Sequence, residues 1–281
     1  MTTQTSPRIT VVGSINIDIT SRVERLPSPG ETIAGGTLSR EIGGKGANQA
    51  AAAAKLGAAV RMIGAVGEDA DGRWLRDQLT AAGVDTSEVK EVPDPSGTAL
   101  IVVDKHAENQ IVVCPGANAH VQADDLSLEP DEVILAQLEI SLAVVERLAA
   151  SSSNYLAINA APAQPLPAGL IERVDLFIVN ESEYALMPEL DNARLVAVTY
   201  GADGAALLTR GEEISRAPGV ATTAVNTVGA GDAFCAALVI AIHSGMTPTA
   251  ALQSACSVGA AAVAHPASQP PLKRLSEYVT R

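Results

Sequence analysis

Asn226-Thr-Val-Gly229-Ala230-Gly231-Asp232-Ala-Phe234 runs directly into the apolar stretch Cys235–His243. Two glycines permit a sharp turn whose N–H groups point outward, and a helix starting there adds partial positive charge at its N-terminus. Such a turn is an anion site suited to a phosphoryl group in transfer. Asp232 stands beside it in the first helical turn, where a carboxylate can take a proton from an attacking hydroxyl. An ordinary acidic helix start with packing glycines would read the same way, so the surroundings decide.

Upstream, short β-branched runs alternate with helical patterns. Arg8–Gly13, Val60–Val66, Val133–Leu138, Tyr155–Asn159, Leu176–Val179 and Leu195–Thr199 are near-continuous apolar runs, the pattern of strands buried on both faces. Helices are predicted over Gly46–Leu56, Asp71–Ala82, Leu142–Ser151, Ala230–His243 and Thr249–Ala264. Gly245 stops the fourth, and Thr247-Pro248 opens the fifth as N-cap and first helical residue. This alternation predicts an α/β fold, a parallel sheet with helices on both faces.

Two segments break the rhythm. Asn16–Ile42 is strand-like but carries Pro27, Pro29, Gly30 and the Gly35-Gly36 pair, while Thr98–Cys114 holds two apolar runs around the polar turn Lys105–Asn109 and reads as a hairpin. These half-exposed antiparallel pieces predict a small lid over the edge of the main sheet.

The remaining polar motifs stand where predicted strands end or, for Gly43–Gln49, where a predicted helix opens. Asn16 and Asp18 follow the first strand, on one face of an extended chain, and an amide with a carboxylate suits the vicinal hydroxyls of a sugar. In Gly43-Gly44-Lys45-Gly46-Ala-Asn48-Gln, bare backbone admits a small polar ligand and Asn48 offers both a donor and an acceptor. The spacing matches neither GxxxxGK[ST] nor GxGxxG. Glu139 can accept a hydroxyl's hydrogen bond, and Asn180 with Glu183 presents oxygen atoms suited, directly or through water, to Mg²⁺. Thr199-Tyr-Gly201-Ala-Asp-Gly204 is a glycine turn able to wrap a nucleotide. In one parallel sheet the clusters after the first strand, after Val133–Leu138, after Leu176–Val179 and after Leu195–Thr199 converge on a single edge.

Composition narrows the partners. The 281 residues carry a net charge of −13 and only two Phe, four Tyr and one Trp. The acid excess repels a polyanion and no basic stripe with stacking aromatics occurs, so nucleic acid is not an expected partner. A polar start, Met1 to Pro7, and the lack of any run of 18 apolar residues argue against a secretion signal and a membrane span. Cys114, Cys235 and Cys256 are widely spaced and read as reduced cytoplasmic thiols packing as small apolar groups. His106, His120, His243 and His265 show no paired ligand spacing.

In order along the chain, GSINID, GGKGANQA, QLE, NAAPA, VNESE, VTYGADG and NTVGAGDAF together resemble the ribokinase-like (PfkB) carbohydrate kinases, from about Arg8 to about Pro270. The GGKGANQA form is similar to the ribokinase branch. The resemblance implies a three-layer α/β/α sandwich with a small β-sheet lid. It assigns 1–15, 43–97 and 114–281 to the large domain and 16–42 with 98–113 to the lid, often with dimerisation through the lids. Carried over by position, Asp232 is the catalytic base and Gly229, Ala230 and Gly231 the anion hole. Asn16, Asp18, Gly44, Lys45, Asn48 and Glu139 contact the sugar. Asn180 and Glu183 organise Mg²⁺ near the phosphates, and Thr199, Gly201 and Gly204 bind ATP beside Asn180.

Departures from the family pattern sharpen the reading. Asn226 stands where relatives carry an acidic residue that helps hold a monovalent cation, and the loop Ala264–Pro270 is short and lacks a glycine. Both changes predict weakened K⁺ binding. Only Pro188–Arg194 separates the Asn-x-x-Glu segment from the next strand, predicting a more open nucleotide side. The expected activity is transfer of the ATP γ-phosphoryl group to a primary sugar hydroxyl, ribose first, in the cytoplasm. A nucleoside kinase would grip a base by stacking, yet the lid segments hold no Phe, Tyr or Trp. A phosphofructokinase of the family tends to have Arg where this chain has Ala51. A non-catalytic sugar- or nucleotide-binding regulator is the alternative of another class: the intact Asp232 and its glycine turn argue against it, while Asn226 and the shortened loop keep it open.

Overall fold

The computed structural model describes residues 6–106, 108–123 and 127–279. The first residues of the polar start, 1–5, and Ala107 in the turn Lys105–Asn109 lie outside the described residues. In chain order the strands are β1 (Arg8–Val12), β2 (Asn16–Arg22), β3 (Thr37–Gly43), β4 (Ala59–Gly67), β5 (Val84–Asp85), β6 (Val89–Val92), β7 (Gly97–Val103), β8 (Asn109–Cys114), β9 (Val133–Gln137), β10 (Leu156–Asn159), β11 (Leu176–Asn180), β12 (Val196–Thr199), β13 (Ala205–Thr209) and β14 (Glu212–Ala217). The α-helices are α1 (Lys45–Leu56), α2 (Ala70–Ala81), α3 (Leu142–Ser151), α4 (Ala168–Arg173), α5 (Glu181–Leu186), α6 (Ala230–His243) and α7 (Pro248–Val263).

The main sheet runs β14-β13-β12-β11-β10-β9-β1-β4-β5, with β6 also paired to β4. From β12 to β5 it is parallel, as the buried apolar runs require. The far edge departs from the all-parallel expectation, because β12, β13 and β14 pair antiparallel. Arg210 and Gly211, both with positive φ, close the two-residue turn between β13 and β14.

Two apolar cores lie on opposite faces, which makes the three layers. One joins Ile9, Val11, Met62 and Leu135 to α1, α2, α6 and α7. The other joins Val12, Ile134, Ile158 and Phe177 to α3 and α4. Thr247 caps α7 through the Ala250 amide with Pro248 in the first turn, as the sequence signals. Helices α4 and α5, of six residues each, are too short to show a helical period in sequence.

The small sheet has the order β3-β2-β7-β8. It is not wholly antiparallel, since its central pair β2–β7 is parallel, Asn16 facing Gly97 and Asp18 facing Ala99. Cys235 and Cys256 are buried thiols as expected, whereas Cys114, at the end of β8, is exposed.

Candidate active site

From β1 the chain moves on to β4 on one side and later returns to β9 on the other, so the strand order reverses beside β1. Crevices at the carboxyl ends of parallel strands beside such a switch are where open α/β sheets bind ligands. Here a cleft of about 400 Å³ opens there. It collects Asn16, Asp18, Gly44, Lys45, Asn48 and Glu139 on one side. Asn180, Glu183, Thr199, Gly229, Gly231 and Asp232 line it as well. The small sheet covers it with Ala99, Ile101, Val103, Ile111 and Val113.

A second, mainly apolar cavity of about 460 Å³ adjoins the first. Thr199, Gly201, Gly204, Ala230, Gly231, Phe234 and Val263 contribute to it. Thr199, Thr227 and Gly231 line both spaces, so an elongated ligand could pass from one to the other across the α6 N-terminus.

Helix α1 starts at Gly44, whose φ of +86° favours glycine. Its first N–H groups find partners across the chain: Lys45 N donates to Glu139 Oε2 at 3.0 Å and Gly46 N to Ser14 Oγ at 3.3 Å. Ser14 Oγ in turn donates to Glu139 Oε2 at 2.6 Å. Glu139 thus holds this helix start against β1 while still facing the cleft. Asn16 is oriented by Asn118, whose Nδ2 donates to Asn16 Oδ1 at 2.7 Å.

Asp232 is buried at the start of α6, and both of its oxygens are gripped from α1. Asn48 Nδ2 donates to Oδ2 and Gln49 Nε2 to Oδ1, each at 3.0 Å. Burial pushes the Asp232 pKa up to about 6; the Lys45 ammonium and the two amide donors pull it back, and Glu139 adds a little to the rise. Asp18 goes higher, to about 7, through burial and then the repulsion of Glu139, Glu41 and Asp232. Burial opposes charge on Lys45, but Asp232, Glu139 and Glu183 outweigh it and keep its pKa above the ordinary value.

Asn180 and Glu183 form a capping box on α5: Glu183 N donates to Asn180 Oδ1 and Asn180 N to Glu183 Oε2, each at 2.8 Å. Glu183 still lines the cleft, and a carboxylate there fits a water-mediated Mg²⁺ carried on phosphates. Among the described residues no group of three or more His, Cys, Asp or Glu forms an all-protein metal cage.

The donor set at Asn226 does not fit a monovalent cation. Its Nδ2 donates to Pro266 O at 2.8 Å and its Oδ1 accepts from Val228 N at 3.0 Å. Lys55 Nζ donates to the carbonyls of Gln269 and Pro270 at 2.9 and 3.1 Å. Carbonyls of this loop are therefore already partnered by an amide and an ammonium.

Motif reading passes over Gln49, Gln137 and Asn118. Each has a sequence trace, a polar residue inside an apolar run (Gln49 before Ala50–Ala54, Gln137 ending VILAQ) or an amide in a polar turn, but such traces are common.

Among the described residues no helix is long and apolar enough to cross a membrane. Residues 6–275 match the model of the pfkB family carbohydrate kinases. The chain is 34% identical over 282 residues to a ribokinase of Bacillus subtilis, covering 90% of this chain and 94% of that one. It is 30% identical over 302 residues to a deoxyribokinase of Salmonella typhi, covering 97% and 98%. The structure of an Arabidopsis thaliana ribokinase complexed with ribose and ATP superposes with a TM-score of 0.87 at 28% identity, covering 97% of each chain. The described fold, with its mostly parallel sheet between helices and its second small sheet, is that of these enzymes, and the chain belongs to the pfkB family of carbohydrate kinases, phosphotransferases with an alcohol group as acceptor.

Proposed function

We propose that the chain phosphorylates the primary hydroxyl of free D-ribose from ATP, giving ribose 5-phosphate, with Asp232 as base and Gly229, Ala230 and Gly231 as anion hole. One observation carries this reading. A buried carboxylate at a helix N-terminus sits where a cleft carrying amide, carboxylate and ammonium side chains meets a second, apolar cavity. Asn16, Asp18, Gly44, Lys45, Asn48 and Glu139 hold the sugar, and Thr199, Gly201 and Gly204 hold the nucleotide beside Asn180.

Asp232 removes the proton as the hydroxyl attacks the γ-phosphorus in line. Lys45 and the amides at the start of α6 face the charge on the transferring group, so catalysis is mainly positioning and electrostatics. Asn180 and Glu183 are the residues that would hold Mg²⁺ through water; when bound, that ion would neutralise charge on the phosphates. The small sheet serves as a lid that excludes water. The side chains that its strands β7 and β8 turn to the cleft are aliphatic apart from Asn109, and none is aromatic, which suits a sugar ring better than a nucleobase. Leu38, Leu100 and Val112, exposed on its other face, support a homodimer through the lids. A kinase that draws on ATP fits the cytoplasm.

An ADP-release assay over ribose, 2-deoxyribose, fructose and adenosine tests the proposal. Ribose is expected to give the highest kcat/KM, and Asp232→Asn to lower kcat about 10²–10⁴-fold. Faster turnover of adenosine, or a wild-type rate in Asp232→Asn, would overturn it. Ribose binding without turnover of any substrate would favour a non-catalytic regulator.

A further inference from the structure

We propose that Gln49, backed by Gln137, is a positioning residue that aims the Asp232 carboxylate and holds it in its charged form. The proposal rests on Asp232 being the base. Gln49 and Gln137 are fully buried, and neither lines the cleft, so both act through Asp232 rather than on substrate.

The direction of each hydrogen bond is fixed. Asn159 Nδ2 donates to the β11 carbonyl of Ile178 at 3.0 Å, which turns Asn159 Oδ1 toward Gln49. Gln49 Nε2 then donates to two acceptors, Asp232 Oδ1 at 3.0 Å and Asn159 Oδ1 at 3.1 Å. With its nitrogen so engaged, Gln49 presents Oε1 to Gln137 Nε2, which donates at 2.6 Å. The cost falls at the end of the chain, where Gln137 Oε1 is buried with no hydrogen-bond partner. An orphaned carbonyl beneath an acidic residue is an unfavourable arrangement for stability alone, since a buried unsatisfied acceptor costs free energy. It follows directly once the Gln49 donor must face Asp232.

Consecutive residues 48 and 49 of α1 thus straddle one carboxylate, Asn48 from the cleft side and Gln49 from the core. Both give N–H groups, which favour the carboxylate over the acid. The charged or titratable groups around Asp232 are Lys45 on α1, Glu139 after β9, Asp18 on β2 and Cys235 on α6. Gln49 supplies the donor to Oδ1, the oxygen that Asn48 leaves free.

The test is Gln49→Met, of similar length but without a donor, together with Gln137→Met, which removes the orphaned carbonyl as well as the donor to Gln49. Kinetics with ribose and ATP are compared across pH, with Asp232→Asn as reference. Gln49→Met is expected to lower kcat about 10–100-fold with the ribose KM changed less than threefold, and to move the acid limb of kcat/KM about one pH unit upward. Gln137→Met exchanges the orphaned Gln137 carbonyl for an unpartnered Gln49 Oε1, so it should fold about as well as wild type, lower kcat two- to fivefold and move the limb the same way. The double variant should be no slower than Gln49→Met alone. If Asp232→Asn is inactive while both Met variants keep the wild-type kcat and pH profile, the positioning role is wrong and the base stands. If Asp232→Asn is fully active, the base assignment itself has failed. Should Gln49→Met not fold, an unmoved limb in Gln137→Met overturns the proposal.

Discussion

The carbonyl oxygen of Ser268 lies 2.1 Å from where a Cβ on Gly229 would stand, and Gly229 has a φ of +76°. The loop that carries Ser268 therefore packs onto bare backbone at the start of α6. The same serine is held from the small sheet, because its N–H and Oγ donate to Glu41 Oε2 at 3.2 and 3.0 Å. Strand β3, the C-terminal loop and the proposed anion hole form one connected unit.

Gly229→Ala should accordingly be severe. The left-handed backbone costs about 1–3 kcal/mol for a residue with a side chain, and the clash with Ser268 forces the loop or the helix start to move. The expected result is a lower Tm together with a kcat reduced about 10²–10³-fold, the loss typical of a misplaced oxyanion donor. Gly231→Ala is the control, because nothing lies within 4 Å of its added Cβ, and it should fold normally. A wild-type kcat in Gly229→Ala would remove the turn from the mechanism.

Asp18 and Asp232 both lie above the ordinary carboxylate range, near 7 and near 6, chiefly through burial, and Asp232 adds a small repulsion to Asp18. Sugar binding uses Asp18 and proton removal uses Asp232, each as a carboxylate. Lowering the pH protonates both, so kcat/KM for ribose should fall below about pH 7 and approach a hundredfold loss per unit below pH 6. Asp18→Asn should leave a single ionisation, a tenfold loss per unit, with its limb at or slightly below pH 6. A limb near pH 4 in the wild type would contradict the burial that raises both groups.

Asp18 also bears on stability. Its folded pKa lies above the ordinary 3.8, so the protonated form is favoured on folding and stability is lost as pH rises from about 4 through about 7. Asp18→Asn should raise Tm at pH 8, by the equivalent of about 1–2 kcal/mol after allowing for partial exposure. The gain should shrink steadily toward pH 4, while ribose affinity falls at every pH. No change in Tm at pH 8 would mean that the carboxylate cluster is not strained.

Much of this fold is legible in the sequence because the parallel strands are buried on both faces and so read as unbroken apolar runs. The polar residues placed after those runs come together for the same reason, as strand ends in a parallel sheet share one edge. The pairing of β2 with β7 is not legible, since it joins segments some 80 residues apart. The antiparallel edge β12–β14 escapes because Arg210-Gly211 is a weaker turn signal than Asn-Gly. Gln49 escapes for a physical reason: α1 is buried nearly all round, and an amide on its core side looks in sequence like an amide on its surface.

Relatives are expected to bring a carboxylate and a cation to position 226, but here the Asn226 amide donates to Pro266 O and the Lys55 ammonium to Gln269 O and Pro270 O. These donors fasten the loop that contacts Gly229, so turnover should be the same, within about twofold, in K⁺, Na⁺ or tetramethylammonium salts of equal ionic strength. Asn226→Asp replaces the donor with a carboxylate facing a carbonyl oxygen, a repulsion that only a cation can relieve. That variant should lose most activity and several degrees of Tm without K⁺, and K⁺ should restore both more effectively than tetramethylammonium. Strong K⁺ activation of the wild type would show that the loop opens its carbonyls to the ion despite Asn226 and Lys55, and would return this chain to the cation-dependent pattern.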